Sequence, residues 1–82
     1  MTNRDDILQL IRDIMQEMFE IEADEVTLEA NLYKDLDFDS IDAVDMIVKL
    51  KEMTGKALKP EDFKNARTIS DVVEAVYKLI NE

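Results

Sequence analysis

A small all-α four-helix bundle, with three main helices, one short helix and a long ordered loop between helices one and two, is the fold that the sequence predicts. Three observations point to it. Apolar residues recur at the three- and four-residue spacing of amphipathic helices, helix-capping residues precede these segments, and no segment reads as a convincing strand. With 82 residues, the chain is predicted to form a single domain spanning residues 1–82.

The first helix is predicted to begin after Asn3 and to end near Phe19. Asn3 can act as its N-cap, with Asp6 at the third helical position. The apolar face of this helix is formed by Ile7, Ile11, Ile14 and Met18, flanked by Leu8, Leu10 and Met15.

The second helix begins at Asp39 or Ser40, where the sequence takes on a helical period, and Gly55 ends it as a C-cap. A short helical turn is predicted over residues 60–65, because Pro60 suits a first helical position. The last helix opens at Thr68 or Ser70, where the segment 68–71 has the form of a capping box with Asp in place of Glu. Its apolar face comprises Ile69, Val72, Val73, Val76 and Ile80.

The connection from Glu20 to Phe38 is long for so small a domain. A disordered linker would lack apolar anchors, whereas this one has several, which predicts a loop held across the core. The predicted anchors are Ile21, Val26, Leu28, Leu32 and Leu36.

The composition excludes several classes of function. The chain has no cysteine and no histidine, so it has no disulfide, no thiolate metal site and no Ser-His or Cys-His nucleophile pair. We therefore expect no enzymatic activity. The polar amino terminus has no signal-peptide core, and no apolar run approaches the length of a membrane span. These features predict a cytoplasmic protein without membrane insertion.

The net charge of −10 is unevenly placed. Residues 1–48 hold 14 Asp or Glu against three basic residues, a balance of −11, while residues 49–82 hold six against seven, a balance of +1. Such a field repels nucleic acid and attracts partners with basic patches.

One serine stands among four carboxylates at the predicted start of the second helix. These are Ser40 with Asp35, Asp37, Asp39 and Asp42. No residue can activate the hydroxyl as a nucleophile, so Ser40 either caps the helix or is modified by another protein.

The spacing of the acidic run does not fit a calcium loop. Asp35, Asp37 and Asp39 would fill positions 1, 3 and 5, but Ser40 stands where glycine is needed and Met46 where a bidentate Glu is needed. A hydrolase with paired carboxylates is equally disfavoured, because so small a bundle leaves little room for a substrate cleft. We therefore predict no dedicated metal site.

The second helix has two apolar sides. The stripe predicted to face the core comprises Ala43, Met46, Ile47, Leu50 and Met53. A second strip lies beside Ser40 and comprises Ile41, Val44 and Val48, with Asp45 at its edge and Asp42 beyond it. Either the helix is more buried than average, or the second strip is a docking surface ringed by carboxylates.

The pattern Asp35-Leu36-x-x-Asp39-Ser40-Ile41-Asp42, ahead of an apolar and acidic helix, resembles that of the acyl carrier proteins. Further family features follow in order along nearly the whole chain: the loop segment 26–32, Gly55, the turn 60–63 and the helix opening 68–73. This resemblance implies that Ser40 carries 4′-phosphopantetheine, derived from coenzyme A. It also implies that Asp39 helps the phosphopantetheinyl transferase to recognise the serine. The residues expected to face partner enzymes are Ile41, Asp42, Val44, Asp45 and Val48.

The function implied is that of a monomeric carrier. It would hold acyl intermediates as thioesters and deliver them to acyl-transferring and chain-processing enzymes with basic docking patches, in fatty-acid, polyketide or related pathways. The alternative is a small acidic helical interaction module in which Ser40 only caps its helix. Asp37 departs from the family pattern, since many members have glycine there. Thr54 and Lys56 replace an aromatic and an aliphatic residue, which predicts a looser corner of the core.

Overall fold

The computed structural model describes residues 3–81, without the side chain of Lys64. Four α-helices follow one another: α1 spans Arg4–Phe19, α2 Ser40–Thr54, α3 Pro60–Lys64 and α4 Ile69–Ile80. A 3-10 turn at Ala23–Glu25 lies in the long loop. The predicted fold class is confirmed. Met1, Thr2 and Glu82, which belong to the predicted domain 1–82, lie outside the described residues.

Capping residues fix where α1 and α4 begin. Asn3 caps α1 and Thr68 caps α4, each in a capping box closed by an Asp three residues later. Gly55, with φ of 77°, ends α2, and Pro60 opens α3. These boundaries agree with the sequence-based expectations, because capping depends on side chains only a few residues apart.

The core lies where α1 packs against α4 and α2 against α3. Residues predicted for the core face of α1 are fully buried, except Met18, which is 39% exposed. Met15, predicted only to flank that face, is fully buried instead. Met18 lies in the last turn, just before the chain leaves the helix through Glu20 in the left-handed conformation (φ 56°).

The long loop is held in place by both side chains and backbone. Val26, Leu32 and Leu36 are buried as predicted, and Ile21 packs against the core. Leu28 does not serve as a side-chain anchor, since it is 43% exposed. Its carbonyl is used instead, accepting the N–H of Ser70 at 3.0 Å.

Within residues 3–81, β pairing is found as one isolated antiparallel bridge, which joins Asn31 to Thr68. Next to it, the N–H of Leu32 donates to the carbonyl of Arg67 at 2.8 Å, and the N–H of Ile69 to that of Ala30 at 3.0 Å. The loop before α2 is thus bonded to the segment before α4.

The corner around Gly55 is tied by hydrogen bonds, and the looser core packing expected there stays a prediction. Thr54 Oγ1 donates to the carbonyl of Leu50 at 2.7 Å. Lys56 Nζ lies 3.3 Å from the carbonyl oxygen of Leu79 and 3.5 Å from that of Ile80. A lysine therefore caps the carboxyl end of α4, where the helix dipole favours positive charge.

No helix of the described part of the chain has the length and apolar character needed to cross a membrane.

Candidate functional site

Asp39, and not Ser40, caps α2. Asp39 has an extended backbone (φ −117°, ψ −174°), and its Oδ1 accepts the N–H of Asp42 at 2.9 Å. Asp42 Oδ2 in turn accepts the N–H of Asp39 at 3.3 Å. The interpretation of Ser40 as the helix cap is therefore wrong, because the residue before it performs that task.

Ser40 is the first helical residue of α2 and is exposed to solvent. Its hydroxyl has no hydrogen-bond partner among the side chains and backbone groups of residues 3–81. The backbone N–H groups of Ser40 and Ile41 likewise have no acceptor in that range. The first turn of α2 thus presents an accessible hydroxyl next to N–H groups and the positive end of the helix dipole, a combination that suits a phosphate.

Buried residues of the loop hold this turn in position. The Phe38 side chain is only 6% exposed, and its ring centroid lies 4.8 Å from that of Phe19 at the end of α1. The Phe38 N–H also donates to the carbonyl of Leu32 at 2.9 Å. No sequence motif assigned Phe38 a role. Its position as the one aromatic residue of the acidic run was the available signal.

The four carboxylates around Ser40 have different structural roles. Asp35 Oδ2 accepts the N–H of Asn31 at 2.8 Å and so closes the turn over residues 31–35. Asp39 and Asp42 form the capping box, and Asp37 occupies the left-handed conformation with φ of 55°. Three of the four carboxylates therefore have hydrogen-bonding tasks in the fold. Among the described residues, no group of three or more acidic side chains is arranged to hold a metal ion.

The second apolar strip of α2 lies on the surface. Ile41, Val44 and Val48 are 70%, 56% and 53% exposed, so the interpretation that the helix is simply more buried than average is wrong. Asp45 beside them is exposed, and Asp42 is half-buried.

The opposite stripe of α2 faces the core largely as predicted. Met46 and Leu50 are buried, and Ala43 and Ile47 pack against them. Met53 is an exception at 50% exposure, since it lies at the edge of the stripe in the last turn.

Comparison with known proteins agrees with this geometry. The model of the phosphopantetheine attachment site family matches residues 9–76. Acyl carrier protein 2 of Ralstonia nicotianae is 55% identical over 75 residues, which cover 92% of this chain and 93% of that protein. The meromycolate extension acyl carrier protein of Mycobacterium tuberculosis is 34% identical over 79 residues, 96% of this chain and 69% of that protein.

A solved structure shows the same fold. The crystal structure of an acyl carrier protein from Thermotoga maritima superimposes with a TM-score of 0.82 at 23% identity, covering 95% of this chain and 91% of that one. Proteins of this family are carriers and not enzymes, and they interact with phosphopantetheinyl transferases and acyl-processing enzymes. Because the family model spans most of the chain and the relatives match nearly all of it, the chain belongs to the acyl carrier protein family, whose acyl groups are held on covalently attached 4′-phosphopantetheine.

Proposed function

We propose that Ser40 is the residue to which 4′-phosphopantetheine is attached, and that residues 1–82 work as one carrier domain. The observation that carries this proposal is the exposed Ser40 hydroxyl at the start of α2, which takes no part in capping the helix. The chain has no cysteine, so the thiol that holds an acyl group as a thioester is supplied by the prosthetic group.

Asp39 is proposed to position Ser40 for the phosphopantetheinyl transferase. Its capping box with Asp42 fixes the conformation of the first turn of α2, and with it the direction in which the hydroxyl is presented. The N–H groups of this turn would face the phosphate once it is attached.

Partner enzymes are proposed to bind a docking strip that comprises Ile41, Asp42, Val44, Asp45 and Val48. Its centre is apolar and exposed, and it lies in the half of the chain whose charge is −11. Basic patches on partners would be drawn to this surface, and charged rims raise association rates without demanding tight affinity. Weak and rapid binding suits a carrier that visits several enzymes in turn.

The pathway, the monomeric state and the cytoplasmic location are further parts of the proposal. Fatty-acid or related acyl-transfer pathways agree with the family, and a polyketide pathway remains a prediction. The alternative of an acidic interaction module without a prosthetic group loses its premise, because Ser40 does not cap α2.

Intact mass spectrometry tests the attachment. The protein is incubated with coenzyme A, magnesium and a broad-range phosphopantetheinyl transferase, and we expect a gain of one phosphopantetheine. Ser40→Ala should gain none, while Ser70→Ala, which changes the other serine of the chain, should gain as much as the wild type. Circular dichroism confirms that both variants fold. An equal gain in Ser40→Ala, or none in the wild type, would contradict the proposal.

A further inference from the structure

An open pocket of about 440 Å³ lies where the loop before α2 meets the segment before α4. Its volume is within the range of small-molecule sites. Asn31, Tyr33, Lys34 and Arg67 line it, and they are called here the cationic pocket. The bridge between Asn31 and Thr68 holds its two walls together. In a protein of net charge −10, a pocket lined by two cations and no carboxylate is a distinct local environment.

The cationic pocket offers donors to a ligand. Asn31 Oδ1 accepts the N–H of Tyr33 at 2.9 Å and that of Lys34 at 3.0 Å, which leaves the amide NH₂ of Asn31 available to donate. The Tyr33 hydroxyl, the Lys34 ammonium and the Arg67 guanidinium add further donors. Within residues 3–81, neither Lys34 nor Arg67 forms an ion pair.

Two carboxylates of the same two segments, Asp35 and Asp71, are engaged by the backbone. Asp35 accepts the N–H of Asn31 at 2.8 Å, and Asp71 Oδ2 accepts those of Arg67 at 3.1 Å and Thr68 at 3.2 Å. Asp71 also attracts the Arg67 side chain at longer range. Because Asp71 and Arg67 form no ion pair within residues 3–81, the guanidinium can still bind a carboxylate in bidentate fashion, which is the geometry it favours.

The cationic pocket and Ser40 share one backbone framework. Leu32 donates its N–H to the carbonyl of Arg67 at 2.8 Å and accepts the N–H of Phe38 at 2.9 Å. Ser40 follows Phe38 by two residues, which separates their Cα atoms by at most about 7 Å. A flexible arm on Ser40 therefore starts from a backbone segment that is hydrogen-bonded, through Leu32, to the wall of the pocket.

The inner side of α2, near the attachment site, is filled by packed side chains. Met46 and Leu50 on the inner side of α2 are 0% and 1% exposed, so an aliphatic chain would have to displace packed side chains in order to enter. A charged group would meet a further cost there, because the core contains no buried polar residue among those described.

We propose that the cationic pocket receives the far end of an acyl group that terminates in a carboxylate, while the acyl group is held on Ser40. This inference rests on the proposed attachment at Ser40. Tethering raises the effective concentration of the carboxylate to the order of millimolar, so a site with a dissociation constant of about that size is substantially occupied. An affinity of that size requires the donors of the pocket to act together, because a single exposed ion pair contributes little.

The test compares two acyl groups of five carbons, glutaryl, which ends in a carboxylate, and pentanoyl, which ends in a methyl group. Each is loaded onto the protein from its coenzyme A thioester by a broad-range phosphopantetheinyl transferase, and loading is verified by mass. In two-dimensional NMR we expect the glutaryl form to shift the backbone amides of Tyr33, Lys34 and Arg67 by at least twofold more than the pentanoyl form. The double variant Lys34→Gln/Arg67→Gln should abolish that difference.

The matched control is Lys59→Gln/Lys78→Gln, which makes the same change in net charge on the surface between α3 and α4 and should keep the difference. Equal shifts from both acyl groups, or a difference that survives in Lys34→Gln/Arg67→Gln, would overturn the inference. If Ser40 takes up no arm, the proposed function fails by the mass measurement. In that case the unmodified protein is titrated with glutaryl-pantetheine and, separately, with pentanoyl-pantetheine. The inference requires glutaryl-pantetheine to cause the larger shifts of the same backbone amides.

Discussion

Asp37 is held in the left-handed conformation, with φ of 55°, three residues before Ser40. A side chain with a Cβ atom is disfavoured there, although Asp tolerates this region better than most residues. Glycine has no such penalty, which gives a physical reason for the glycine that many family members have at this position. The departure seen in the sequence is thus accommodated with Asp37 in the left-handed conformation.

Replacing Asp37 therefore has a predictable effect on stability. We expect Asp37→Gly to be more stable than Asp37→Ala by about 1 kcal/mol, because both remove the charge but only glycine removes the Cβ atom. Urea unfolding monitored by circular dichroism measures the two free energies. Equal stability of the variants, or a more stable Ala variant, would show that the left-handed backbone is not strained.

At the scale of the element, the capping box of α4 combines a polar and an ionisable partner. Thr68 Oγ1 accepts the N–H of Asp71 at 3.2 Å, and Asp71 Oδ2 accepts the N–H groups of Arg67 and Thr68. The hydrogen bond from the Arg67 N–H, and after it that from the Thr68 N–H, lower the pKa of Asp71 below the ordinary value of an aspartate. A carboxyl group with a lowered pKa in the folded state stabilises the fold above its unfolded pKa, and this contribution is lost as the pH falls through the folded value.

The corresponding prediction concerns Asp71→Asn. At pH 6 the variant should be less stable than the wild type by about 0.5 kcal/mol, a typical size for an exposed charge at a helix amino terminus, and this difference should shrink as the pH falls below about 4. Urea unfolding at pH 6 and pH 3 measures it. Thr68→Ala is the control, since it should cost about 1 kcal/mol at both pH values. A difference for Asp71→Asn that does not depend on pH would contradict the assignment.

Across the whole molecule, charge is concentrated in the first half of the chain. Residues 1–48 hold 14 acidic and three basic residues, and of these cations Arg4 pairs with Glu74 at 2.8 Å while Arg12 Nε donates to the carbonyl of Val26 at 3.0 Å. Repulsion among the carboxylates destabilises the folded state, and dissolved ions screen it.

We therefore expect salt to stabilise this protein. Raising sodium chloride from about 10 mM to about 500 mM, which shortens the Debye length severalfold, should raise Tm by several degrees, and magnesium should act at lower concentration. The triple variant Glu22→Gln/Asp24→Asn/Glu29→Gln, which neutralises three exposed loop carboxylates, should respond less. A Tm that does not change with either salt would show that the repulsion is small.

The sequence by itself determined the class of fold and most helix boundaries, because caps such as Asn3, Gly55 and Thr68 act over a few residues and are readable locally. It also placed Ser40 at a helix start. Only the tertiary structure decided that Asp39 takes the capping role, since Asp39 and Ser40 are both good caps and the choice depends on where buried Phe38 fixes the chain.

Exposure was likewise decided by packing. Ile41, Val44 and Val48 are as apolar as Met46 and Leu50, yet of these five only Met46 and Leu50 are buried. The helical pattern defines two apolar sides without showing which one meets the core. The cationic pocket was not visible in the sequence, since Lys34 and Arg67 are far apart along the chain. The hydrogen bonds between the loop and the segment before α4 bring them together, and such pairing between distant segments leaves no local pattern in the sequence.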